Sequence, residues 1–287
     1  MEKITSVPYI HHLLEKYTTQ AKKHFGQNFL ISDHVLHGIV KAADIQSTDT
    51  IVEIGPGLGV LTRELCLEAQ QVISIEKDET MLRILTETIM EETPGAKRKI
   101  TILNQDALHF DPSTSTYLKN KKYKLIANLP YNVATPILEN FLVKTAGTQS
   151  QPTKIVVLVQ KEVAEKACAR TGDLSVLSLA FQPFGELKIM AIVPPGSFFP
   201  APKVTSAILQ ITPYENPLLS KEFQKAYVKL IHAAFSQKRK MLHTSLGQIM
   251  PKEEVAELLT KAEVSPDVRP QNLSLEKWLS LASLAKL

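Results

Sequence analysis

The 287-residue sequence predicts an α/β fold: a mostly parallel sheet with helices on both faces, followed by a small all-α domain. Three observations predict it. From Thr50 onward short apolar runs alternate with longer helical patterns, the grammar of strand–helix–strand units. A glycine-rich turn, Gly55-Pro56-Gly57-Leu58-Gly59, joins the first such run to the first helical pattern. Beyond Lys221 only helical spacing remains.

The elements follow in order. Ile51-Val52-Glu53-Ile54 is a strand and Val60 to Glu68 a helix. Val72-Ile73-Ser74-Ile75 is the second strand, with a charged helical stretch from Lys77 to Glu92 behind it. Ile100 to Leu103 and Tyr123 to Ala127 are the third and fourth. Ile155-Val156-Val157-Leu158-Val159 is the most β-branched run and reads as a central strand. Pro194, Pro195, Pro200 and Pro202 crowd the next connection, which rules out helix and marks a stiff loop. Ala207 to Ile211 reads as one more strand, and Pro213 and Pro217 flank a polar linker. The expected domains are therefore 1–213, with 1–45 as an N-terminal helical lid, and 214–287 as a helical bundle.

Composition narrows the class. Of the residues 44% are hydrophobic and 22% charged, which excludes a disordered polyelectrolyte. No run approaches the ~20 apolar residues that span a bilayer, and Met1 to Leu14 lacks the apolar block of a secretory signal. Cys66 and Cys168 are too few for a disulfide framework, which fits a reducing cytoplasm. Charge is unevenly spread. Between Pro200 and Met250 seven cations face two acids, a surplus larger than the chain's whole net charge of +4. That region fits a polyanionic partner or an ordinary solvated helix face.

The strongest local motif is the glycine turn. It follows a strand and opens a helix, so backbone can approach a ligand and free N–H groups face it. Glu76 closes the second strand, where an acid accepts hydrogen bonds from both hydroxyls of a ribose. A nucleoside-bearing cofactor is expected. A dinucleotide turn reads G-x-G-x-x-G, but Val60 stands where the third glycine would be; the compact spacing and Pro56 suit S-adenosylmethionine, and at this point both remain open. The fourth strand runs into Asn128-Leu129-Pro130-Tyr131, at the strand end where doubly wound sheets bind ligands. These residue types suit attack by an exocyclic aromatic amine, a poor nucleophile because its lone pair is delocalised. The Asn128 side-chain carbonyl and a neighbouring backbone carbonyl can accept both N–H groups and aim that lone pair, with no strong base required. Catalysis is then mostly positioning. Tyr131 can stack on an extruded base, worth about 1–3 kcal/mol; alone, the tetrapeptide reads equally as a β-turn with a core tyrosine.

In its ordered motifs the chain resembles the ribosomal RNA adenine N6,N6-dimethyltransferases that act on the small subunit, a family of class I S-adenosylmethionine-dependent methyltransferases. The matching segments are Lys23 to Leu30, the Gly55–Gly59 turn with Glu76, Asn104 to Leu108, Asn128 to Asn132, Gln160 to Ala164, Gly172 to Val176, Phe198 to Val204, His232 to Lys240 and Arg269 to Ser274. The resemblance implies a Rossmann-like class I methyltransferase sheet of about seven strands, with S-adenosylmethionine as cofactor. Asn28 and Leu30 would close over the cofactor, Gly55 and Gly57 would lie against it, Glu76 would hold its ribose and Asp106 its adenine amino group. Asn128 would contact both cofactor and target nitrogen, and Tyr131 and Phe198 would sandwich the target adenine.

The implied partner is 16S rRNA in a small-subunit precursor, methylated on two adjacent adenosines of its 3′-terminal hairpin loop by a cytoplasmic monomer. Lys238, Arg239 and Lys240 would grip RNA phosphates, although the family often places consecutive arginines there. A large-subunit rRNA methylase, a non-catalytic assembly or transcription factor and a dinucleotide oxidoreductase are the competing readings. The Asn128 loop and Val60 oppose the oxidoreductase, intact Glu76 and Asn128 oppose a dead binder, and Arg269 to Ser274 favour the small subunit. No metal site is expected, because the eight histidines are scattered. Cys66 reads as core, and Asp78 and Glu79 as a helix start. The Lys119 to Lys124 run, with four lysines, reads as a solvated loop or an RNA contact.

Overall fold

The computed structural model describes residues 4–22, 25–93, 95–119, 121–237 and 239–285. The chain forms two compact units, Met1–Ala164 with Lys188–Pro213 and Glu165–Leu187 with Tyr214–Leu287. The sequence boundary at 213/214 is one of three crossings. Residues 165–187, expected in the first domain, belong to the second unit. The reason lies in α7 (Val176–Phe181), whose Leu179 carbonyl accepts from Tyr227 Oη at 2.9 Å. Two backbone bonds, Gly172 N–H to the Gln271 carbonyl and Leu218 N–H to the Pro183 carbonyl, fix the same segment.

The first unit is built on seven strands in the order β4-β3-β2-β5-β6-β9-β7. These are β2 (Thr50–Ile54), β3 (Gln71–Glu76), β4 (Ile100–Asn104), β5 (Tyr123–Asn128), β6 (Lys154–Gln160), β7 (Gly185–Val193) and β9 (Ser206–Pro213). Five of them run parallel, and β9 pairs antiparallel with β6. All five residues of β2 are buried, as covering helices on both faces require. The runs read as strands above cover every strand except β7, an edge strand whose Met190 and Ile192 remain exposed. Its apolar run, Ile189 to Val193, lies directly before the proline-rich connection.

Helices α2 (Asp33–Ala43), α3 (Val60–Glu68) and α4 (Glu79–Glu92) bring Ile39, Leu65 and Leu85 into one core with Ile51, Val72 and Val156 of the strands. Two of these starts are capped by side chains: at α2 Ser32 Oγ accepts from Val35 N–H, and at α4 Asp78 accepts from Thr80 N–H. The expected lid over 1–45 divides in the structure. α1 (Val7–Lys16) packs Ile10 and Leu13 on Met81 and Ile84 of α4, whereas α2 is a layer of the sheet sandwich, its Ile39 fully buried. The stretch between them ends in β1 (Phe29–Leu30), antiparallel to β8 (Phe198–Phe199). The proline-rich connection is a single 3-10 turn, Pro195–Ser197, followed by β8.

The second unit gathers α8 (Gln224–Ser236), α9 (Leu242–Leu246), α10 (Lys252–Lys261) and α11 (Leu275–Leu284). Trp278 is fully buried among them and faces Phe235 at 6.1 Å.

Gly59, which begins α3, adopts φ +82°, and an added Cβ would lie 2.6 Å from Leu85 Cδ1. Left-handed backbone costs a non-glycine residue about 1–2 kcal/mol, and Leu85 must also shift. Gly59→Ala is expected to lower stability by about 1–3 kcal/mol in urea unfolding; an unchanged midpoint would show that the turn relaxes freely.

Candidate active site

Strand register assembles the site. Ile54 of β2 pairs with Ile75 of β3, and Glu76 with Asn104 of β4. The glycine turn, Glu76 and Asp106 therefore leave neighbouring strand ends side by side. β5, on the other side of β2, delivers Asn128 to the same edge. One cavity opens there, lined by Asn28, Leu30, Gly55, Gly57, Glu76, Asp106, Asn128 and Tyr131. All the cofactor-contact residues expected from sequence meet in it, together with two of the three catalytic candidates.

The polar groups are aimed. Glu76 is buried; Oε1 accepts from Asp78 N–H at 2.8 Å and Oε2 from Gly57 N–H at 3.4 Å. Burial raises its carboxyl above the ordinary value, and those N–H donors oppose the rise. Gly57 sits at φ +55° with the Phe29 ring 3.4 Å from where a Cβ would be, so backbone itself forms that wall. Asp106 Oδ1 accepts from Leu108 N–H at 3.0 Å, and Lys77 Nζ approaches Oδ2 at 3.5 Å. Asn128 Nδ2 donates to the Asn28 carbonyl at 3.1 Å. This fixes the amide orientation, and among the described residues nothing donates to its Oδ1. Tyr131 Oη bonds Ser206 Oγ at 2.6 Å, and burial raises its phenol, which stays protonated.

The remaining candidates lie elsewhere. Phe198 is 2% exposed, packed in the core with Leu30 and Ile208, and does not line the cavity. It pairs with Leu30 through β8, so the structure places it in the core and not beside Tyr131 on the cavity wall. Arg239 and Lys240 are exposed in the second unit, on the turn after α8; Lys238 lies outside the described residues. Cys66 is buried, and burial pushes its thiol up to about 12, which fits a core role. Among the described residues no group of His, Cys, Asp and Glu is placed to hold a metal ion.

Two features escaped the sequence. Asp78, read only as a helix start, also takes Lys22 Nζ on Oδ1 and Gln27 Nε2 on Oδ2, each at 2.8 Å. Burial alone would raise its carboxyl, but these bonds outweigh it and hold it below the usual range. They pin Lys22 and Gln27, and with Gln27 the stretch 25–30 that lines the cavity. Glu53 lies beneath the glycine turn, fully buried, and accepts from Ser74 Oγ at 2.8 Å. Desolvation pushes its carboxyl up to about 7. Asp78 and Glu53 are separated in sequence from these partners, so no local pattern marks either role.

A sheet of this order, with one antiparallel strand inserted next to β6 and a nucleoside-shaped acid-and-glycine cavity at its carboxyl edge, defines a Rossmann-like class I methyltransferase. The pattern of the ribosomal RNA adenine dimethylase family matches residues 18–286. The ribosomal RNA small subunit methyltransferase A of Dehalococcoides mccartyi (strain ATCC BAA-2266) is 38% identical over 94% of this chain and 90% of its own. That of Alkaliphilus oremlandii is 34% identical over 100% and 99%. Among solved structures, a dimethyladenosine transferase from Plasmodium falciparum matches with TM-score 0.73 and 26% identity over 88% of this chain and 95% of that one. The 23S rRNA methyltransferase ErmE matches with TM-score 0.66 and 26% identity over 90% and 99%. The chain belongs to the ribosomal RNA adenine dimethylase family. It is an rRNA adenine dimethyltransferase that uses S-adenosylmethionine.

The Glu53 carboxyl keeps its proton to about pH 7 when folded but releases it near 4.5 when unfolded. The unfolded chain thus binds fewer protons between those values, and this group lowers stability as pH rises through that window. Glu53→Gln stays neutral. Its stability relative to the parent is expected to improve by up to about 3 kcal/mol from pH 4.5 to 7 and then level off. Urea midpoints measured across that range test this, and a pH-independent difference would contradict it.

Proposed function

We propose that the substrate is small-subunit rRNA, and that the enzyme methylates N6 of two adjacent adenosines in its 3′-terminal hairpin loop. The observation that carries the chemistry is the unpartnered Asn128 Oδ1 at the end of β5, opening on the same cavity as Glu76 and the glycine turn. The cavity fits the cofactor: Gly55 and Gly57 leave a backbone wall, Glu76 offers carboxylate oxygens to a ribose, and Asp106 an acceptor to an adenine amino group. S-adenosylmethionine, when bound, supplies an electrophilic methyl. Asn28 and Leu30 exclude water from above. Asn128 Oδ1 accepts from the target amine and directs its lone pair, so that the work is orientation. Tyr131, the only one of the two aromatic candidates lining the cavity, offers its ring to the target base. Once methylated, the nitrogen is cationic and gives up its proton readily, which is why no strong base is needed.

Several findings support the finer reading. The relatives at 34–38% identity carry small-subunit names, whereas the 23S enzyme stands at 26%. Arg239 and Lys240, with Lys238 beside them in sequence, offer phosphate contacts in the second unit, which we read as RNA-binding. We read the enzyme as a monomer. An enzyme of rRNA works where ribosomes are assembled, which fits a cytoplasmic role on a small-subunit precursor. Among the described residues no helix is long and apolar enough to cross a membrane. The competing reading is large-subunit rRNA. Mapping label from radiolabelled S-adenosylmethionine on undermethylated small subunits and on large-subunit RNA separates the two, and label on the latter alone would overturn the proposal.

Asn128→Ala should reduce methyl transfer by at least ~10²-fold, the scale of losing one positioned polar group, while cofactor affinity falls by less than about tenfold. Near-parental turnover would refute the positioning role. Arg239→Ala with Lys240→Ala should weaken RNA binding and lower its salt slope by about 1 per lost contact; an unchanged slope would place these cations away from RNA.

A further inference from the structure

The opposite edge of the same sheet carries a second basin, unrelated to the cofactor cavity. Thr50 begins β2 and pairs with Gln71 of β3 and Tyr123 of β5. Val72 pairs with Ile100 of β4, so the residues just before β4 and β5 converge on this edge. The basin formed there is lined by Thr50, Gln70, Gln71, Arg98, Lys121 and Lys122, with Thr48 at its rim, and measures about 540 Å³. That lies within the ~300–1,000 Å³ of ligand clefts. The five residues of β2 put it about 17 Å from the cofactor edge, so it serves neither cofactor nor target adenine.

Its chemistry is one-sided. Arg98 and Lys122 are exposed and make no ion pair among the described residues. Lys121 Nζ donates to Gln71 Oε1 at 2.7 Å, which leaves the Gln71 NH2 group as the end of the amide still able to donate. The acid nearest in sequence, Asp49, is already taken by Lys124 Nζ at 2.7 Å. Three cations, a carboxamide NH2 and threonine hydroxyls therefore face a hollow whose neighbouring carboxylate is neutralised. Such a set suits phosphate oxygens, which accept from fixed donors and carry charge. A merely solvated loop would leave these cations dispersed.

We propose that this basin binds phosphates of the RNA backbone, giving the catalytic unit a sequence-independent contact of its own away from the reacting base. The proposal rests on the RNA reading above. It also gives the Lys119 to Lys124 run a role, through Lys121 and Lys122.

The test is the salt dependence of binding to in-vitro transcribed small-subunit rRNA. Arg98→Ala with Lys122→Ala, both exposed, is expected to lower the slope of log affinity against log salt by about 1.4–1.8. S-adenosylmethionine affinity and thermal midpoint should stay unchanged. Lys121→Gln, which keeps a donor toward Gln71, should lower it by a further fraction of a unit. If the double variant keeps the parental slope while Arg239→Ala with Lys240→Ala lowers it, the basin proposal fails and the RNA reading stands. If the parent itself shows no salt-dependent RNA binding, the RNA reading fails. Inorganic phosphate serves as the small-anion probe. Saturable phosphate binding lost in the double variant, with the RNA slope unmoved, would mark a free-anion site and also overturn the proposal.

Discussion

The whole site depends on the register of parallel strands. Because β2, β3, β4 and β5 start and stop nearly together, their carboxyl ends lie in a row spaced by about 4.8 Å. Asp106 follows β4 and Asn128 closes β5, three strand spacings or about 14 Å apart, with Glu76 and the glycine turn between them. An elongated nucleoside–amino-acid molecule laid along that row would find Asp106 at one end, Glu76 and the glycine turn in the middle and Asn128 at the other. A slip of one residue in any strand would turn its functional side chain to the other face. The buried strand interiors, with Ile51, Val72 and Leu125 fully inaccessible, hold the register through packing and so hold the geometry of the chemistry.

The N-terminal segment is the second constraint, and it is polar. Lys22 and Gln27 share the carboxylate of Asp78, and Gln27 Oε1 accepts from Lys22 N–H at 2.8 Å. Asn128 reaches the Asn28 carbonyl from the other side. Phe25, whose ring lies 5.6 Å from Lys22 Nζ and 5.3 Å from Lys77 Nζ, lines the same cavity. Asp78 is thus both the cap of α4 and the anchor of the segment. Helix start and cavity wall are fixed by one carboxylate two residues from Glu76.

Legibility followed the range of the interactions. The positions of the glycine turn, Glu76 and Asn128 were readable because each sits at the end of an apolar run, where such sheets bind ligands; Asp106 came from the family resemblance, and all of them line the one cavity. Cys66 was readable from helical spacing. Phe198 was not, since the motif that contains it says nothing about which way a two-residue strand faces, and pairing with Leu30 turned it into the core. β7 carries a run of its own, Ile189 to Val193, which a reading by strand–helix alternation passes over because the proline cluster follows it at once. Residues 165–187 were misplaced because nothing local reveals that Tyr227, forty-eight positions beyond Leu179, draws α7 to the other unit. Gln27 and Glu53 depend on partners far away in sequence, and spacing rules carry no information about them.

Position 128 shows why an amide, and not an acid, suits this reaction. Its Nδ2 donates to the Asn28 carbonyl, and in the mechanism proposed above its Oδ1 stays open to accept from the target amine. Aspartate has acceptors only when ionised, so one oxygen would face the Asn28 carbonyl with no proton between them, loosening the segment that lines the cavity. A protonated acid could make that bond but would need its carboxyl held far above its ordinary range. Asparagine supplies donor and acceptor at every pH without adding charge to a cavity that already contains Glu76 and Asp106. In a mechanism that consists of orientation, a residue that is neutral, fixed by one half of its side chain and free at the other meets the requirement with the fewest parts.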